Sequence, residues 1–506
     1  MIAGTLTRHA PGTEARAGFG TAAAVAAPLL VLAGLLWWMV VPHNPFQSAP
    51  MVGTFLSWGV IIWAVTALRR VPARGVVAAT IAGTVLLGLV AMSAPPRTSN
   101  DSARYAWDGI VQKAGHSPYA YVPIDETLVE LRPEWLFAPG ALDEDGKPAC
   151  AKDLFGTESV PAFGFPSGNP LCTAINRPHV PTIYPPTAEI YFFGVRAALP
   201  ASVGYIAFQL AGLLISVAVS LMLLAALARR GLPTHLAAVW AWSPFVQLEA
   251  VNNAHVDLLG SALILAAGML LTGGKPLRSG LAFGAAVATK LIPVIAAPAL
   301  LFRRPARFIA AALASFVLLY VPYLAIAGIG VLGFLPGYLR EEGYSQGGGS
   351  RFGLAQLISA GPWPPLLSAL ALTVLAVCVL RRSGPENIWE QQTVMIGLTL
   401  LIVSPNYPWY ALMLLPFIVL SRRWEYIAVI LALDAIYMIP LKDPFSLPLH
   451  QAALLLAAAV VWGGARWRLY RGYHQAVLAG PAAAGPDHSD RKPAADTPIS
   501  TPSATK

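Results

Sequence analysis

The chain has 506 residues, of which 56% are hydrophobic and only 12% are charged. Long apolar stretches recur along its whole length, which excludes a soluble protein and predicts a polytopic membrane protein. The formal net charge of +9 does not indicate nucleic-acid binding, because the arginines form short clusters at the ends of the apolar stretches, where they orient membrane proteins.

Length and apolarity predict about twelve membrane spans, so the expected fold is an all-α bundle. The predicted spans are residues 18–41, 51–68, 75–93, 202–228, 233–248, 255–272, 306–328, 362–380, 389–404, 408–421, 424–441 and 448–465. The first stretch follows a short basic segment but has no small-residue cleavage site, so it is interpreted as a retained span rather than a signal peptide. Basic clusters follow every second span, which predicts that both termini are cytoplasmic.

These spans divide the chain into four regions. We expect N-terminal transmembrane helices over 1–93, a large polar loop with an interfacial helix over 94–200 and a C-terminal transmembrane bundle over 201–472. Residues 473–506 are rich in Ala, Pro, Ser and Thr, which predicts a disordered cytoplasmic tail.

The long loop opens with a group of polar and aromatic residues, Asp101, Arg104, Tyr105, Trp107 and Asp108. If this segment is helical, the spacing places both carboxylates and Arg104 on one face. A carboxylate beside the low-dielectric bilayer is a candidate general base. The alternative is an ordinary solvated arrangement in which Asp101 caps a helix and Asp108 pairs with Arg104.

Two further features of the loop bear on its environment. Cys150 and Cys172 form a disulfide if the loop faces an oxidising compartment, and otherwise they are two free thiols. Tyr119 and Tyr184 offer flat amphipathic surfaces that suit either a sugar or the membrane interface.

A second polar cluster, Glu249, Asn253, His255 and Asp257, lies between the fifth and sixth predicted spans. Such groups are costly to bury unless they contact a ligand, water or one another. The spacing matches no established zinc pattern, although a metal site is one interpretation. The other two are a hydrogen bond from His255 to a phosphate leaving group and a purely structural network.

The apolar stretch Gly280 to Phe302 has basic residues beyond both ends and contains Lys290, Pro293 and Pro298. A lysine and two prolines predict a broken or re-entrant segment, because the freed backbone groups must be satisfied inside protein or a wet cavity. A plain span with an inverted charge signal is the alternative.

With that segment re-entrant, the remaining polar clusters all face outward. Arg340 and Arg351 lie in a glycine-rich loop that either holds a phosphate or is a flexible connector. Tyr407 and Trp409 lie between the ninth and tenth spans, and Trp409 is interpreted as part of an interfacial aromatic belt.

Taken together, these segments resemble the GT-C superfamily of membrane glycosyltransferases, most closely glycosyltransferase family 87 and the related bacterial polyprenyl-phosphate-mannose-dependent mannosyltransferases. The matching motifs occur in the expected order along the chain: Asp101-x-x-Arg104-Tyr105-x-Trp107-Asp108-Gly109, Gly115-x-x-Pro118-Tyr119, Thr182-x-Tyr184-Pro185-Pro186, Asn253-Ala254-His255-x-Asp257, Lys290-Leu291-Ile292-Pro293 and Tyr407-Pro408-Trp409-Tyr410.

The resemblance implies inverting transfer of a sugar, with mannose as the first expectation, from a polyprenyl-phosphate donor to a cell-envelope acceptor outside the bacterial plasma membrane. It implies that Asp101 is the general base, that His255 lies near the donor phosphate and that Arg104, Arg340 or Arg351 neutralises it. The other expected substrate-binding residues are Tyr105, Trp107, Asp108, Tyr119, Tyr184, Asn253, Asp257 and Tyr407. No cofactor is expected, with a divalent cation left open. The acidic insert from Asp125 to Pro170 departs from the family pattern.

Three other functions remain open at this stage. A transporter or flippase of lipid-linked sugars would use the same aromatic and charged residues without a general base. No internal repeat is visible, which weakens the transporter interpretation. A glycan ligase needs a lipid-diphosphate donor, and a scaffold subunit of an envelope-synthesis complex needs no chemistry.

Overall fold

The computed structural model describes residues 19–41, 48–142, 144–150, 162–164, 170–302, 304–341, 351–439, 441 and 445–479. The segment 342–350, within the predicted glycine-rich loop, and the predicted tail from Gly480 onward lie outside the described residues. The long last helix continues to Ala479, past the expected start of the tail at 473, because residues 473–479 include alanine, leucine and glutamine, which favour helix. A disordered tail stays a prediction.

Seven helices among the described residues are long and apolar enough to cross a membrane. They are Phe19–Val40, Ala49–Leu68, Ala73–Ala91, Ile206–Arg229, Pro305–Ala327, Trp363–Arg382 and Ser446–Ala479. This confirms an all-α polytopic membrane protein.

The five other predicted spans fold as shorter or interrupted helices, so the number of crossings stays a prediction. The segment Pro244–Asn252 and the helix Asp257–Thr272 meet at an angle of 115° and together make one further candidate span. The remaining predicted spans contain the elements Thr234–Ala237, Ala238–Ala241, Ile388–Val403, Pro408–Met413, Leu415–Ser421, Trp424–Tyr426 and Ile427–Met438.

The predicted interruption between Gly280 and Phe302 is confirmed. The segment forms a helix, Pro276–Val287, followed after a short break by a 3-10 helix, Ile292–Leu300. Each part is about 18 Å long at the usual rise per residue, well short of a bilayer's hydrocarbon thickness. A Cβ at Gly280 would lie 2.3 Å from the Phe308 carbonyl oxygen, so this glycine allows the first part to pack directly against the next helix.

Two helices of the long loop form its framework: the first loop helix, Asp101–Lys113, and the second loop helix, Pro186–Ala198. They pack closely where the first has Gly109, because a Cβ there would lie 2.4 Å from the Phe192 carbonyl oxygen. Aromatic rings fill the rest of this interface, with Tyr105 stacked on Phe192 at 4.5 Å between ring centroids.

The insert contributes a small amount of antiparallel sheet. Strand Pro170–Thr173 pairs with both Phe137–Pro139 and Ala162–Gly164, and Ala141–Leu142 pairs with Pro148–Ala149. Cys150 and Cys172 form a disulfide within this region.

Short elements complete the described structure. They are the helices Pro244–Val246, Leu335–Glu341 and Gly353–Gln356, the 3-10 turns Glu126–Leu131, Ala201–Val203 and Gly328–Leu332, and the π-helix Gln247–Asn252.

Candidate active site

A cavity of about 750 Å³ opens where the long loop meets the transmembrane bundle. Its wall is built from segments far apart in sequence: residues 97–104, 176–185, 290–292, 335–339, 407–410 and 437–438. Most of these segments carry motifs that the sequence analysis placed on one side of the membrane, and the structure brings them together around one space.

Asp101 begins the first loop helix and lines this cavity. Its side chain is 22% exposed, and one carboxylate oxygen lies 3.5 Å from Nδ1 of the buried His255. The other ring nitrogen of His255, Nε2, lies 3.2 Å from a carboxylate oxygen of the buried Glu249. The three groups therefore form a chain from the bundle interior to the cavity wall, with only Asp101 at the cavity.

The two carboxylates determine the charge on His255. Burial by itself lowers the pKa of His255, but Asp101 and Glu249 outweigh burial and raise that pKa to about 9. Burial raises the pKa of Asp101, yet His255 and more distant Lys290 and Arg177 hold it below its ordinary value. At neutral pH the imidazole is therefore positively charged and Asp101 is ionised.

Backbone geometry explains how His255 reaches this position. The preceding residues Gln247–Asn252 form a π-helix, and Ala254 has a φ of 56°, in the left-handed region that favours glycine. Neither conformation is common, and both are typical of functional sites. They turn the chain sharply before the next helix begins at Asp257.

Asn252 and Asn253 hold the segment that leads into the first loop helix. The Oδ1 atoms of Asn252 and Asn253 accept hydrogen bonds from the backbone N–H of Arg97 at 2.8 and 3.0 Å. Asn253 also accepts from the N–H of Thr98 and donates to its hydroxyl, while Asn252 donates to the carbonyls of residues 91, 94 and 95. These contacts fix the backbone immediately before Asp101.

The apex of the broken segment supplies a cation. Lys290 lines the cavity and its Nζ lies 2.9 Å from the buried Asp257 carboxylate. The ammonium also lies 4.5 Å from the centre of the Tyr410 ring, which adds a cation–π contact.

Arg104 faces the cavity but uses its donors within the protein. Its Nε donates to Asp108 at 3.0 Å, and its two terminal nitrogens donate to the carbonyl of Val180 at 3.1 Å. Burial raises the pKa of Asp108, and burial together with the nearby Asp108 carboxylate raises the pKa of Glu189 well above its ordinary value. The Arg104–Asp108 pair of the alternative is found, but the pair is buried rather than solvated, and Asp101 does not cap the helix.

Trp409 differs from its interpretation as an interfacial belt residue. The side chain is buried, and its ring stacks on His255 with 3.9 Å between centroids. The Tyr407 ring stacks on the Trp409 ring with 4.7 Å between centroids, and Tyr407 lines the cavity. The difference arises because the Ser404 to Tyr410 turn folds into the bundle rather than along its surface.

The candidate residues separate into two groups in space. Asp101, Arg104, Tyr184 and Tyr407 line the cavity. Tyr105, Trp107, Asp108, Tyr119, Asn253, His255 and Asp257 are buried behind it. Packing places aromatic rings such as Trp107 between loop elements, so these residues do not reach the cavity wall, and their role in binding substrate stays a prediction.

Arg340 and Arg351 do not line the cavity either. Arg340 is exposed on the helix Leu335–Glu341. Arg351 is fully buried, and the next residue, Phe352, donates its backbone N–H to the carbonyl of Val403. In their place the structure puts Arg97 and Arg177 in the cavity wall. The sequence carried no strong signal for Arg97, whereas Lys290 was recognisable as a charged residue within an apolar stretch.

A metal site is not formed by the acidic cluster. Within the described ranges no group of three or more His, Cys, Asp or Glu side chains could hold a metal ion. Glu249 faces His255, and Asp257 faces Lys290, so protein cations already compensate both charges. The expectation of no cofactor stays a prediction.

Residues 182–405 match the family model for glycosyltransferase family 87. The comparisons with curated proteins and with solved structures gave no match. The matched residues include His255, Lys290 and the start of the Ser404 to Tyr410 turn. Asp101 lies before the matched residues. The resemblance drawn from the sequence motifs is confirmed, and it supports a membrane glycosyltransferase.

Proposed function

We propose that this family-87-like membrane glycosyltransferase transfers a hexose, with mannose as the first donor sugar to test, from a polyprenyl phosphate to a cell-envelope acceptor outside the plasma membrane. Asp101 is the general base. The observation that carries this proposal is the position of Asp101, a partly exposed carboxylate in the cavity wall that is held from behind by a buried imidazole and a second carboxylate.

The chemistry is a single displacement. An acceptor hydroxyl attacks the anomeric carbon while Asp101 takes the hydroxyl proton, and the new carbon–oxygen bond forms on the face opposite the phosphate. The bond between the anomeric carbon and the phosphate oxygen breaks, and its electron pair stays on that oxygen. The products are the inverted glycoside and the polyprenyl phosphate.

The lowered pKa of Asp101 suits a base that accepts the proton late in the reaction. Asp101 is a weak base, so it accepts the proton only as the acceptor oxygen becomes acidic through bond formation. His255, whose two nitrogens face Asp101 and Glu249, is a positioning residue and not a donor to the phosphate. This assignment replaces the sequence expectation that His255 contacts the leaving group.

The cavity wall fits both parts of the donor. Tyr184 and Tyr407 line the cavity and supply aromatic side chains against which a sugar ring can pack. The polyprenyl chain stays in the bilayer because each buried methylene contributes about 0.8 kcal/mol. A site between the loop and the bundle allows the reacting end to leave the lipid while the chain remains in it.

Two observations support an outward orientation. The Cys150–Cys172 disulfide lies in the same loop as Asp101, and disulfides persist in oxidising compartments. The arginine and lysine clusters predict that this loop is on the side opposite the termini.

The test uses the purified full chain in lipid nanodiscs with a short-chain polyprenyl-phosphate-mannose and envelope lipids as acceptor. We expect Asp101→Asn to reduce sugar transfer by roughly 10²- to 10⁴-fold, the usual contribution of a general base. The matched control is Asp145→Asn, an exposed aspartate of the same loop, which should transfer at the normal rate.

Three results would contradict the proposal. The first is full transfer by Asp101→Asn. The second is turnover of a diphosphate-linked glycan but not of the monophosphate donor, which indicates a ligase. The third is movement of the lipid-linked sugar across the membrane without any transfer, which indicates a flippase.

A further inference from the structure

The cavity wall contains four basic side chains among the described residues, and three of them already have an acidic partner. These pairs are Arg104 with Asp108, Arg177 with Glu341 and Lys290 with Asp257. The fourth, Arg97, forms no ion pair within the described part of the chain. Its Nε is buried, and no described group accepts a hydrogen bond from it.

A buried guanidinium nitrogen without an acceptor is unfavourable. Leaving a buried donor unsatisfied costs about 1–3 kcal/mol and more for charged groups, so such groups normally have a partner. A cavity-lining arginine in this state has its natural partner in an anionic ligand, because the guanidinium fork matches the geometry of a phosphate.

The backbone at Arg97 is held more tightly than a simple connector requires. Its N–H donates to two asparagine side chains, Asn252 and Asn253. The next residue, Thr98, donates its N–H to Asn253 and accepts a hydrogen bond at its carbonyl from the Tyr437 hydroxyl. Rigid backbone support of this kind pre-organises a side chain for binding.

Arg97 also lies in the right place relative to the base. It precedes Asp101 by four residues, and both residues line the same cavity. A substrate whose anomeric carbon is near Asp101 can therefore place its phosphate against Arg97. The arginines expected from the sequence to do this are either committed, as Arg104 is, or outside the cavity, as Arg340 and Arg351 are.

We propose that Arg97 binds the phosphate of the lipid-linked donor; this inference rests on the proposed function. The donor phosphodiester carries one negative charge, which the single unpaired cation matches. When the bond to the anomeric carbon breaks, a second negative charge develops on the phosphate. Arg97 therefore stabilises the transition state more than the bound donor.

The experiment compares binding and turnover for Arg97→Gln, Arg97→Lys and a control, Arg70→Gln, in the full chain in nanodiscs. Arg70 is exposed at the end of the helix Ala49–Leu68 and outside the cavity. The binding probe is a short-chain polyprenyl phosphate, measured by the shift in melting temperature and by direct titration.

We expect Arg97→Gln to bind the polyprenyl phosphate roughly 10- to 100-fold more weakly, the loss typical of one charge-assisted hydrogen-bonded contact. Both kcat and kcat/KM for the donor should fall, while KM for the acceptor is unchanged. Arg97→Lys should recover part of the binding, because it keeps the charge but loses the planar fork. An unchanged melting temperature of the ligand-free variant shows that the fold is intact.

Equal binding of polyprenyl phosphate by Arg97→Gln and the unsubstituted protein would overturn this inference, whatever the rate of transfer. A rise in acceptor KM with no change for the donor would overturn it as well. These failures differ from that of the proposed function, which is decided by the dependence of sugar transfer on Asp101.

Discussion

At the scale of single residues, the main question is why Asp101, the proposed base in the cavity wall, has two buried partners. Asp101 sits at the first turn of a helix, where the backbone alone does not restrict its side-chain rotamer. His255 restrains it with a charged contact, and Glu249 keeps His255 charged. Trp409 stacks on the imidazole and prevents the ring from turning away.

This arrangement predicts a pH dependence of stability. The pKa of His255 is about 9 in the folded protein, above its ordinary value of 6.5. The stabilisation from its positive charge is therefore complete below about pH 6.5 and is lost as pH rises through 9. We expect the melting temperature to fall over this interval, and His255→Gln to remove that part of the slope.

The matched control for this measurement is His116→Gln. His116 lies in the long loop after the first loop helix, and its ring contacts Tyr121. Thermal unfolding across pH 6 to 10 should show the same slope in this variant as in the unsubstituted protein. An identical slope in His255→Gln would show that His255 is not the group that titrates.

At the scale of elements, the two loop helices decide where Asp101 and Tyr184 stand relative to each other. Their axes approach closely only because residue 109 has no side chain. Larger residues at a close helix contact force the backbones apart or the side chains out of their rotamers. The same device occurs at Gly280, where the broken segment packs against the following helix.

Gly109→Leu should therefore destabilise the loop by roughly 1–3 kcal/mol, the usual cost of overpacking, and reduce sugar transfer with it. Gly194→Ala on the second loop helix is the matched control, because no atom lies within 4 Å of the added Cβ. That variant should be neutral or slightly stabilised, since alanine favours helix more than glycine. Limited proteolysis and thermal unfolding would measure both, and a Gly109→Leu protein of normal stability would contradict the packing account.

At the scale of the whole molecule, the loop and the bundle enclose one site between them. The bundle contributes Lys290 and Tyr407 to the cavity wall, and the loop contributes Asp101, Arg104 and Tyr184. Lys290 lies in the break between the helices Pro276–Val287 and Ile292–Leu300 and brings a charged group to the cavity wall. A site of this kind suits the proposed donor, which is part lipid and part sugar.

The orientation of the chain can be tested by labelling in intact cells. In a Cys378→Ser background, Glu130→Cys places an exposed thiol on the long loop, and Arg70→Cys places one at the opposite end of a span. We expect a membrane-impermeant maleimide to label Glu130→Cys in intact cells, and Arg70→Cys only after lysis. The reverse pattern would put the cavity on the cytoplasmic side and remove the basis of the proposed reaction.

The sequence by itself determined the membrane class, the seven of its twelve predicted spans that form long helices, the break near Lys290 and, as one of two alternatives, the pairing of Arg104 with Asp108. These properties depend on local composition, on proline and on spacing within a single turn, so they can be derived from neighbouring residues. The twelve-span count, the membrane orientation and the roles of individual site residues remain predictions.

Only the tertiary structure decided which polar groups face the cavity. His255 and Asp101 are separated by more than 150 residues, and their contact exists because the bundle and the loop pack together. The same packing buries Trp409, moves Arg340 and Arg351 away from the cavity and leaves Arg97 in its wall without an acidic partner among the described residues. Burial and charge pairing depend on distant parts of the chain, and no local pattern of residues specifies them.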